Sequence, residues 1–522
     1  MRKLVSILLI LTLLILSSLT SCTLIGGEPG NQTNGNNESD NEENNSVPAP
    51  TGELEYELND DGVSYSVIGF GTWQGLELAI PSEHNGLPVT AIAECAFWDD
   101  YRLLPIDLNK IDGRKPTVMI TKVVIPDSVT TIGEAAFAFC CFLETVILPD
   151  SITDIGGGAF MDCSSLSNIT IPSSVQTIGE LAFTACKSLV NIHIPASVTS
   201  IGFGAFSGCR SLTKIDVDEN NQHYTSVSNN LYSKDKKTFI QYALGQKDKS
   251  FSIPDTVENI EAYAFSFSNT LREITIPSSI TKIEADTFYG CYSLAFVNIP
   301  TSVTSIEDCA FSDCYSLTSI TIPESVTYLS DSAFSGSYLF EIYNKSSVQI
   351  NMSCHIITDE SDSYLRYVDD FVFYDDGTNV YLVRYIGDET NITLPQYGNH
   401  VEYGIYNYAF CEPMPEYNKP VLQQIMAEGN SKITSITIPD CVVSIGSFAF
   451  SGCTLLDSII IPKSVTQMGS YVFNGCKSIT IYCEAKRAPG GWDSWWNGSH
   501  YQLTTIHSTV WDCKNAEFPP KI

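Results

Sequence analysis

Proline recurs at intervals of 23 residues along most of the chain, and this period constrains the fold more than any other feature of the sequence. The prolines that keep this interval within their groups are Pro126, Pro149, Pro172 and Pro195, then Pro254, Pro277, Pro300 and Pro323, then Pro439 and Pro462. A fixed period of this length is typical of solenoids, in which each repeat forms one coil and shares its core with its neighbours. The spacing therefore predicts a β-rich solenoid.

Residues 166–186 show how one coil is expected to form. Ile169 and Ile171 alternate with polar residues, which indicates a short strand with one buried face. Pro172 has no amide hydrogen and so ends that strand. The residues before the next repeat read as a short helical turn that buries Phe183. One unit cannot cover its own apolar face, so Pro and Phe recur because each lies against its own copy in the adjacent coils.

Two segments interrupt the period, and each alternates about a polar turn. They are "NNLYSKDKKTFIQY", which we interpret as a protruding hairpin, and "DDFVFYDDGTNVYLVRYIG", a hairpin about Asp376-Gly377. We divide this part of the chain into an N-terminal cap and first repeat block (53–340), a hairpin insertion and connector (341–395), a second repeat block (396–482) and a C-terminal cap (483–522). Terminal coils need covering because their cores are otherwise open.

The chain begins with an export signal rather than a folded element. Arg2 and Lys3 precede an apolar run, and Leu19–Cys22 resembles a bacterial lipobox. The resemblance implies cleavage of residues 1–22 and lipidation of Cys22; the alternative is an ordinary signal peptide with an incidental cysteine. Residues 23–52 are polar and acidic and cannot bury enough surface to fold, so we expect a disordered tether.

The repeat "IPSSVQTIGELAFTACKSL" resembles the BspA-like leucine-rich repeat family over roughly residues 53–490. The resemblance implies a leucine-rich-repeat horseshoe or arc, exposed on a bacterial surface, with short strands, short helical turns, hairpin insertions and terminal caps. Some members bind host matrix or plasma proteins or other bacteria, and the family has no catalytic motif to transfer. The chain departs from a regular array where Ser268 and Ser337 replace the repeat cysteine.

Eight cysteines recur at one position of the repeat. They are Cys140, Cys163, Cys186, Cys209, Cys291, Cys314, Cys453 and Cys476. Equivalent side chains in stacked coils point in parallel, which is poor geometry for a disulfide, so we expect a buried ladder of small apolar side chains. Cys141 lies where most coils have a polar residue and should be more reactive than Cys140. Cys483 and Cys513 could form a bridge in the C-terminal cap.

The net charge and the absence of catalytic and metal-binding motifs argue against several classes of function. The chain has 60 acidic and 28 basic residues and a net charge of −32, which disfavours nucleic acid and anionic lipid surfaces as partners. The sequence contains no C-x-x-C, G-x-S-x-G, H-E-x-x-H or P-loop motif, and its histidines are not at metal-ligand spacing. We therefore predict a non-enzymatic protein without metal or cofactor.

Two sets of residues are candidates for a ligand surface. On the outward rows of the strands they are Asn168, Thr170, Asn191, His193, Lys214 and Asp216. Such rows are either a simple solvated strand face or a flat surface for a large partner. The second set is Trp492, Trp495 and Trp496, which either stack on a ligand or cover the last coil, and their terminal position favours the cap.

These features together predict a lipid-anchored protein of the bacterial cell surface that mediates adhesion or binds a host or bacterial surface protein. It would touch the membrane only through its N-terminal lipid. Two alternatives remain at this point. One is a carbohydrate-binding surface lipoprotein, and the other is a structural spacer without a ligand of its own.

Overall fold

The computed structural model describes residues 52–98, 120–337, 339, 341–350, 355–357, 364–387, 389–398, 401–407, 409–410, 432–476, 479–497 and 508–511. The expected signal peptide with Cys22, almost all of the expected tether, and Cys513 lie outside the described residues. The possible bridge from Cys483 to Cys513 therefore stays a prediction.

The secondary structure of the described residues consists of short strands, listed here in chain order. The strands up to the first insertion are β1 (Glu55–Leu58), β2 (Tyr65–Gly69), β3 (Glu77–Ala79), β4 (Glu83–His84), β5 (Leu87–Ile92), β6 (Lys122–Val124), β7 (Thr131–Ile132), β8 (Thr145–Ile147), β9 (Asp154–Ile155), β10 (Asn168–Ile169), β11 (Thr177–Ile178), β12 (Asn191–Ile194), β13 (Ser200–Ile201) and β14 (Lys214–Val217). The next are β15 (Tyr224–Val227), β16 (Asn230–Ser233), β17 (Thr238–Gln241), β18 (Ser250–Ser252), β19 (Asn259–Ile260), β20 (Glu273–Thr275), β21 (Lys282–Ile283), β22 (Phe296–Asn298), β23 (Ser305–Ile306), β24 (Ser319–Ile322), β25 (Tyr328–Leu329), β26 (Glu341–Asn344) and β27 (His355–Ile357). The last are β28 (Leu365–Val368), β29 (Phe371–Asp375), β30 (Val380–Tyr385), β31 (Asn391–Thr393), β32 (Tyr403–Ile405), β33 (Ser435–Thr437), β34 (Val442–Ile445), β35 (Ser458–Ile461), β36 (Gln467–Met468), β37 (Thr480–Cys483), β38 (Gly491–Trp492) and β39 (Ser508–Trp511).

Each regular coil contributes two strands, one to each of two parallel layers. The strand before the repeat proline forms the front layer, with sheets β3-β6-β8-β10, β12-β14, β18-β20-β22, β24-β26-β27, β31-β33 and β35-β37-β39. The strand about ten residues later forms the back layer, with β5-β7-β9-β11-β13, β21-β23-β25 and β32-β34-β36-β38. Pairing is in register, as in Asn191 opposite Lys214, so equivalent residues of successive coils form straight rows. The β-solenoid prediction is confirmed.

The segment expected to be a short helical turn is a series of tight turns without helix. Alternate amides turn outward to the next coil: Phe183 N–H donates to the carbonyl of Ala205 at 2.8 Å, and Ala185 N–H to Ser207 at 2.8 Å. The amides between them close local turns, as in the bond from Thr184 to Leu181 at 3.0 Å. Because every second amide is used between coils, the i to i−4 ladder of a helix cannot form.

The repeat phenylalanines stack along the axis of the solenoid, as predicted. Phe137, Phe160 and Phe183 lie in successive coils with ring centroids 5.4 Å apart and nearly parallel planes. All three are fully buried. The core is therefore a continuous column, in which each ring gains its packing from the coils above and below it.

The first insertion forms the expected hairpin, but its strands are part of the solenoid instead of protruding from it. Strand β15 pairs antiparallel with β16, β16 pairs antiparallel with β17, and β17 then pairs parallel with β19. Phe239 on β17 is fully buried and stacks on Phe265 at 4.8 Å. Its alternating apolar residues are buried because the hairpin replaces one coil, which pattern alone does not distinguish from a surface hairpin.

The second insertion repeats this arrangement. Strand β29 pairs antiparallel with β28 and, across the predicted turn at Asp376-Gly377, with β30, which pairs parallel with β32. One face of the hairpin joins the core of the second block through Phe373 and Leu382. Its other face, with Val372 and Val383, packs against Ala295 of the first block. The insertion is therefore packed between the two repeat blocks.

Both ends of the array are covered. The N-terminal hairpin β1-β2 pairs antiparallel, joins β5 in parallel, and places Phe70 against Phe97 at 4.9 Å. At the other end Trp496 lies 23 residues after Phe473 and occupies the phenylalanine position of its coil. Trp492 packs on Trp496 with centroids 4.8 Å apart. The large rings cover the open faces of the column.

Candidate interaction surface

Four of the predicted front-row residues form one polar cluster on β12 and β14. His193 Nδ1 lies 3.0 Å from Asp216 Oδ2, and Lys214 Nζ lies 3.0 Å from Asp216 Oδ1. Asn191 Oδ1 accepts a hydrogen bond from the Thr213 hydroxyl at 3.3 Å. These side chains are exposed or half-exposed because they alternate with the buried Ile192 and Ile215. The structure thus brings Asn191, His193, Lys214 and Asp216 together.

The electrostatics of this cluster are those of a solvated ion pair. The hydrogen-bonded ammonium of Lys214, followed by the imidazole of His193, lowers the pKa of Asp216 below its ordinary value. A carboxylate whose anionic form is stabilised in this way is a poor general base near neutral pH. The cluster is better suited to forming hydrogen bonds and ion pairs with a partner than to proton transfer.

Asn168 and Thr170 lie one coil away. Asn168 is on β10, Thr170 follows that strand directly, and both side chains are exposed. Strand β10 pairs with β8, whereas β12 pairs with β14, so the sheet is interrupted between the two pairs of coils. The six predicted front-row residues therefore belong to one layer but to two separate sheets.

Farther along the front layer, the second hairpin covers part of the same surface. Arg272 Nη2 lies 2.8 Å from Asp370 Oδ1, and the Tyr367 hydroxyl lies 3.1 Å from Thr318 Oγ1. Phe296 on β22 packs against the ring of Tyr367 at 5.7 Å. The front rows are consequently more open on β6 to β14 than on β20 to β24. Residue spacing does not reveal these contacts, because they join unlike segments 49 to 98 residues apart.

The three predicted tryptophans do not share a surface. Trp492 and Trp496 are 9% and 6% exposed and lie in the core, where Trp492 Nε1 donates to the carbonyl of Val465 at 3.1 Å. Trp495 is 47% exposed and stacks on Tyr471 with centroids 6.3 Å apart. The 23-residue period could have predicted which of Trp495 and Trp496 is buried, because Trp496 stands at the buried phenylalanine position and Trp495 does not.

The repeat thiols are buried, as expected for a core ladder, but those of Cys140, Cys163, Cys186, Cys209, Cys291, Cys314 and Cys476 also donate a hydrogen bond to a backbone carbonyl. Cys163 Sγ lies 3.2 Å from the carbonyl oxygen of Phe137, and Cys186 Sγ lies 3.2 Å from that of Phe160. Ser337, at the same repeat position, donates to the carbonyl of Phe311 at 2.6 Å. The sequence analysis did not predict this hydrogen bond. The presence of serine at the cysteine position could have suggested it, because both side chains can donate a hydrogen.

Neither a disulfide nor a metal cluster occurs within the described parts of the chain. Burial raises the pKa of Cys209 and of Cys291 to about 12, which keeps these thiols protonated. Cys141, expected to be more reactive than Cys140, is equally buried and donates to the carbonyl of Asp162 at 3.5 Å. In the same described residues we find no helix that is both long and apolar enough to cross a bilayer.

Comparisons with known proteins identify the repeat. A model of the BspA type leucine-rich repeat region matches six copies, in residues 115–238, 241–358 and 427–492, which together make up more than half of the chain. Comparison with curated proteins gives no match.

Several solved structures are similar. A leucine-rich cell surface protein from Faecalibacterium prausnitzii is 28% identical, with 58% of this chain and 96% of that chain covered and a TM-score of 0.35. The pneumococcal vaccine antigen PcpA is 18% identical, with 84% and 94% covered and a TM-score of 0.44. A leucine-rich repeat protein from Bacteroides ovatus is 22% identical, with 83% and 98% covered and a TM-score of 0.38. From the match of the repeat itself, we conclude that the chain belongs to the BspA-type leucine-rich repeat family.

Proposed function

We propose that this chain is a non-enzymatic protein of the bacterial cell surface that binds a protein on a host cell or on another bacterium. In this proposal a lipid on Cys22 holds the chain at the membrane, residues 23–52 extend it, and the solenoid presents its front layer outward. The single observation that carries the proposal is the exposed polar cluster on β12 and β14. It lies in a flat array of straight residue rows.

The cluster is suited to binding because the fold does not depend on it. Exposed ion pairs such as Lys214 with Asp216 contribute little to stability, so they can exchange partners at low cost. Parallel strands stand about 4.8 Å apart, so rows of side chains form a surface broad enough for a protein partner. Backbone ladders hold these rows in place, which reduces the ordering entropy lost on binding.

The test is adhesion of bacteria that display the full chain to immobilised host extracellular-matrix and plasma proteins. We expect the triple variant His193→Ala, Lys214→Ala, Asp216→Ala to bind at least about tenfold more weakly, the loss typical of central interface residues. Lys237→Ala is the matched control, because Lys237 is also exposed and paired with a carboxylate but lies on the first insertion. Equal adhesion by the triple variant would overturn the proposed surface.

A Cys22→Ser chain checks the anchoring step in the same assay. We expect this chain to be released into the medium, because the sulfur that would carry the lipid is lost. The released chain should still bind the immobilised proteins directly. If the native chain binds none of them, the third possibility, a structural spacer, becomes the better account.

A further inference from the structure

The second repeat block carries a serine and an aromatic residue side by side in three successive coils, at one repeat position in the first two pairs and one residue later in the third. The pairs are Ser447-Phe448, Ser470-Tyr471 and Ser494-Trp495. The pairs in the first block at the position of Ser447-Phe448 include Gly157-Gly158, Glu180-Leu181, Ala262-Tyr263 and Asp308-Cys309, with an aromatic ring in only one of these four. The repeat itself therefore does not require a serine or an aromatic ring at this position. We call Ser447, Phe448, Ser470, Tyr471, Ser494 and Trp495 the aromatic strip.

The three rings of the strip stack across the coils outside the core. The centroid of Phe448 lies 5.6 Å from that of Tyr471, which lies 6.3 Å from that of Trp495. Phe448 and Tyr471 are half-buried and Trp495 is exposed, whereas Phe450 and Phe473, two residues farther on, fill the core. The strip is therefore a second aromatic column that parallels the buried one at the surface.

The backbone conformation at the position of Phe448 and Tyr471 does not require an aromatic ring. Phe448 and Tyr471 have φ values of 57° and 54°, in the left-handed region that disfavours bulky side chains. Gly158 and Gly204 occupy the same position in the first block with φ values of 59° and 63°. Leu181 and Tyr263 also occupy it, with φ values of 57° and 64°, so the left-handed conformation belongs to the repeat and does not depend on which side chain stands there.

Beside the rings runs a row of fixed polar groups. Ser470 N–H donates to Ser447 Oγ at 3.1 Å, and Ser447 N–H donates to Asn407 Oδ1 at 2.7 Å. These bonds hold Ser447 in one position, while a hydroxyl that accepts a hydrogen bond can still donate its own hydrogen. Asp493 follows Ser470 by 23 residues and continues the row, and the exposed Ser494 lies next to it in the chain. Aromatic faces and polar groups therefore lie near one another in successive coils.

This combination matches the chemistry of sugars. The C–H face of a pyranose ring packs on an aromatic ring, while its hydroxyl groups need donors and acceptors nearby. The strip has no Lys, Arg or His, and the adjacent Asp493 accepts the amide of Trp495 at 2.8 Å. With a net charge of −32 on the chain, an anionic polymer would be repelled. We propose that the aromatic strip binds an uncharged polysaccharide lying across the coils.

Affinity electrophoresis of the full chain tests the inference, in gels that contain barley β-glucan, wheat arabinoxylan or yeast mannan. We expect at least one of them to retard the native chain. Trp495→Ala and Tyr471→Ala should each weaken the retardation by about tenfold, as for other stacked anchors. Tyr328→Ala is the matched control, because Tyr328 is 50% exposed but lies on the first block. Unchanged melting temperatures would show that the variants still fold.

Tryptophan fluorescence provides a second measurement. Saturating polysaccharide should change the emission of the native chain, and Trp495→Ala should abolish the change, because Trp495 is the one tryptophan of the aromatic strip and is more exposed than the other five. No retardation in any of the three gels would overturn the inference. So would equal retardation of the Trp495→Ala chain, or retardation only by anionic polygalacturonate. None of these outcomes bears on the front-layer cluster, so the two proposals fail independently.

Discussion

At the scale of single residues, the repeat cysteine combines two roles. Its side chain is small enough for a slot inside the coil, and its thiol donates to the carbonyl of the phenylalanine 26 residues earlier, as Cys209 does to Phe183 at 3.1 Å. The same carbonyl oxygen also accepts the amide of Cys186 at 3.2 Å, so the thiol occupies its second lone pair. Ser337 serves in the same way, whereas the buried hydroxyl of Ser268 has no hydrogen-bond partner among the described residues, so at that position only the small size is shared.

Substitution of Cys186 separates the two roles. We expect Cys186→Ala to lower the free energy of unfolding by about 1 kcal/mol, because the carbonyl of Phe160 keeps the amide of Cys163 but loses the thiol as its second donor. Cys186→Ser should cost less, because the hydroxyl can donate as Ser337 does. Chemical denaturation followed by circular dichroism measures both variants. A serine variant less stable than the alanine variant would mean that apolar filling alone matters.

At the scale of the element, glycine sets how closely the coils approach. The glycine that follows a back-layer strand abuts the previous coil in six places, Gly133, Gly156, Gly179, Gly202, Gly446 and Gly469. A Cβ at Gly179 would lie 2.5 Å from the amide nitrogen of Gly157 and 2.6 Å from the carbonyl carbon of Gly156. Backbone atoms cannot yield as flexible side chains do, so these positions limit the spacing between coils.

Gly179→Ala and Gly157→Ala form a matched pair. We expect Gly179→Ala to destabilise the chain by about 2 kcal/mol, because the methyl group would push two coils apart. At Gly157 the nearest atom to a Cβ is the Glu180 carbonyl oxygen at 3.4 Å, so alanine fits. That variant should be neutral or slightly more stable, since the unfolded chain loses freedom. Equal melting temperatures for the two variants would contradict the packing argument.

At the scale of the whole molecule, the second hairpin joins the two repeat blocks. It contributes Phe373 to one core and Val372 to a small cluster with Ala295. The ion pair of Arg272 with Asp370 lies on the same side of the hairpin. The hairpin therefore both begins the second block and covers part of the first block's front layer.

A double-mutant cycle tests this contact. We expect Arg272→Ala and Asp370→Ala to show a coupling of about 0.5 kcal/mol in the free energy of unfolding, because the pair is only partly buried. The double variant should therefore be little less stable than either single one. Strictly additive effects would show that the two side chains do not interact in solution.

The sequence determined the coil, because every position of the coil repeats. The prolines and Phe183 lie against their own copies, so one period predicts strand, core and stacking together. The same period separates Trp496, at a phenylalanine position, from Trp495. The pattern also located both hairpins, although it could not show that the strand with Phe239 replaces a coil, because alternation is the same for a buried and a protruding hairpin.

Only the tertiary structure shows the features that depend on contacts between segments that are not copies of one another. The covering of the front layer by Tyr367 and Asp370, the acceptor of each thiol and the outward column of Phe448, Tyr471 and Trp495 are of this kind. A repeat pattern predicts the contacts that a residue makes with the equivalent residues of neighbouring coils. It contains no record of contacts made once, between residues as far apart as Arg272 and Asp370, because nothing in the period constrains them.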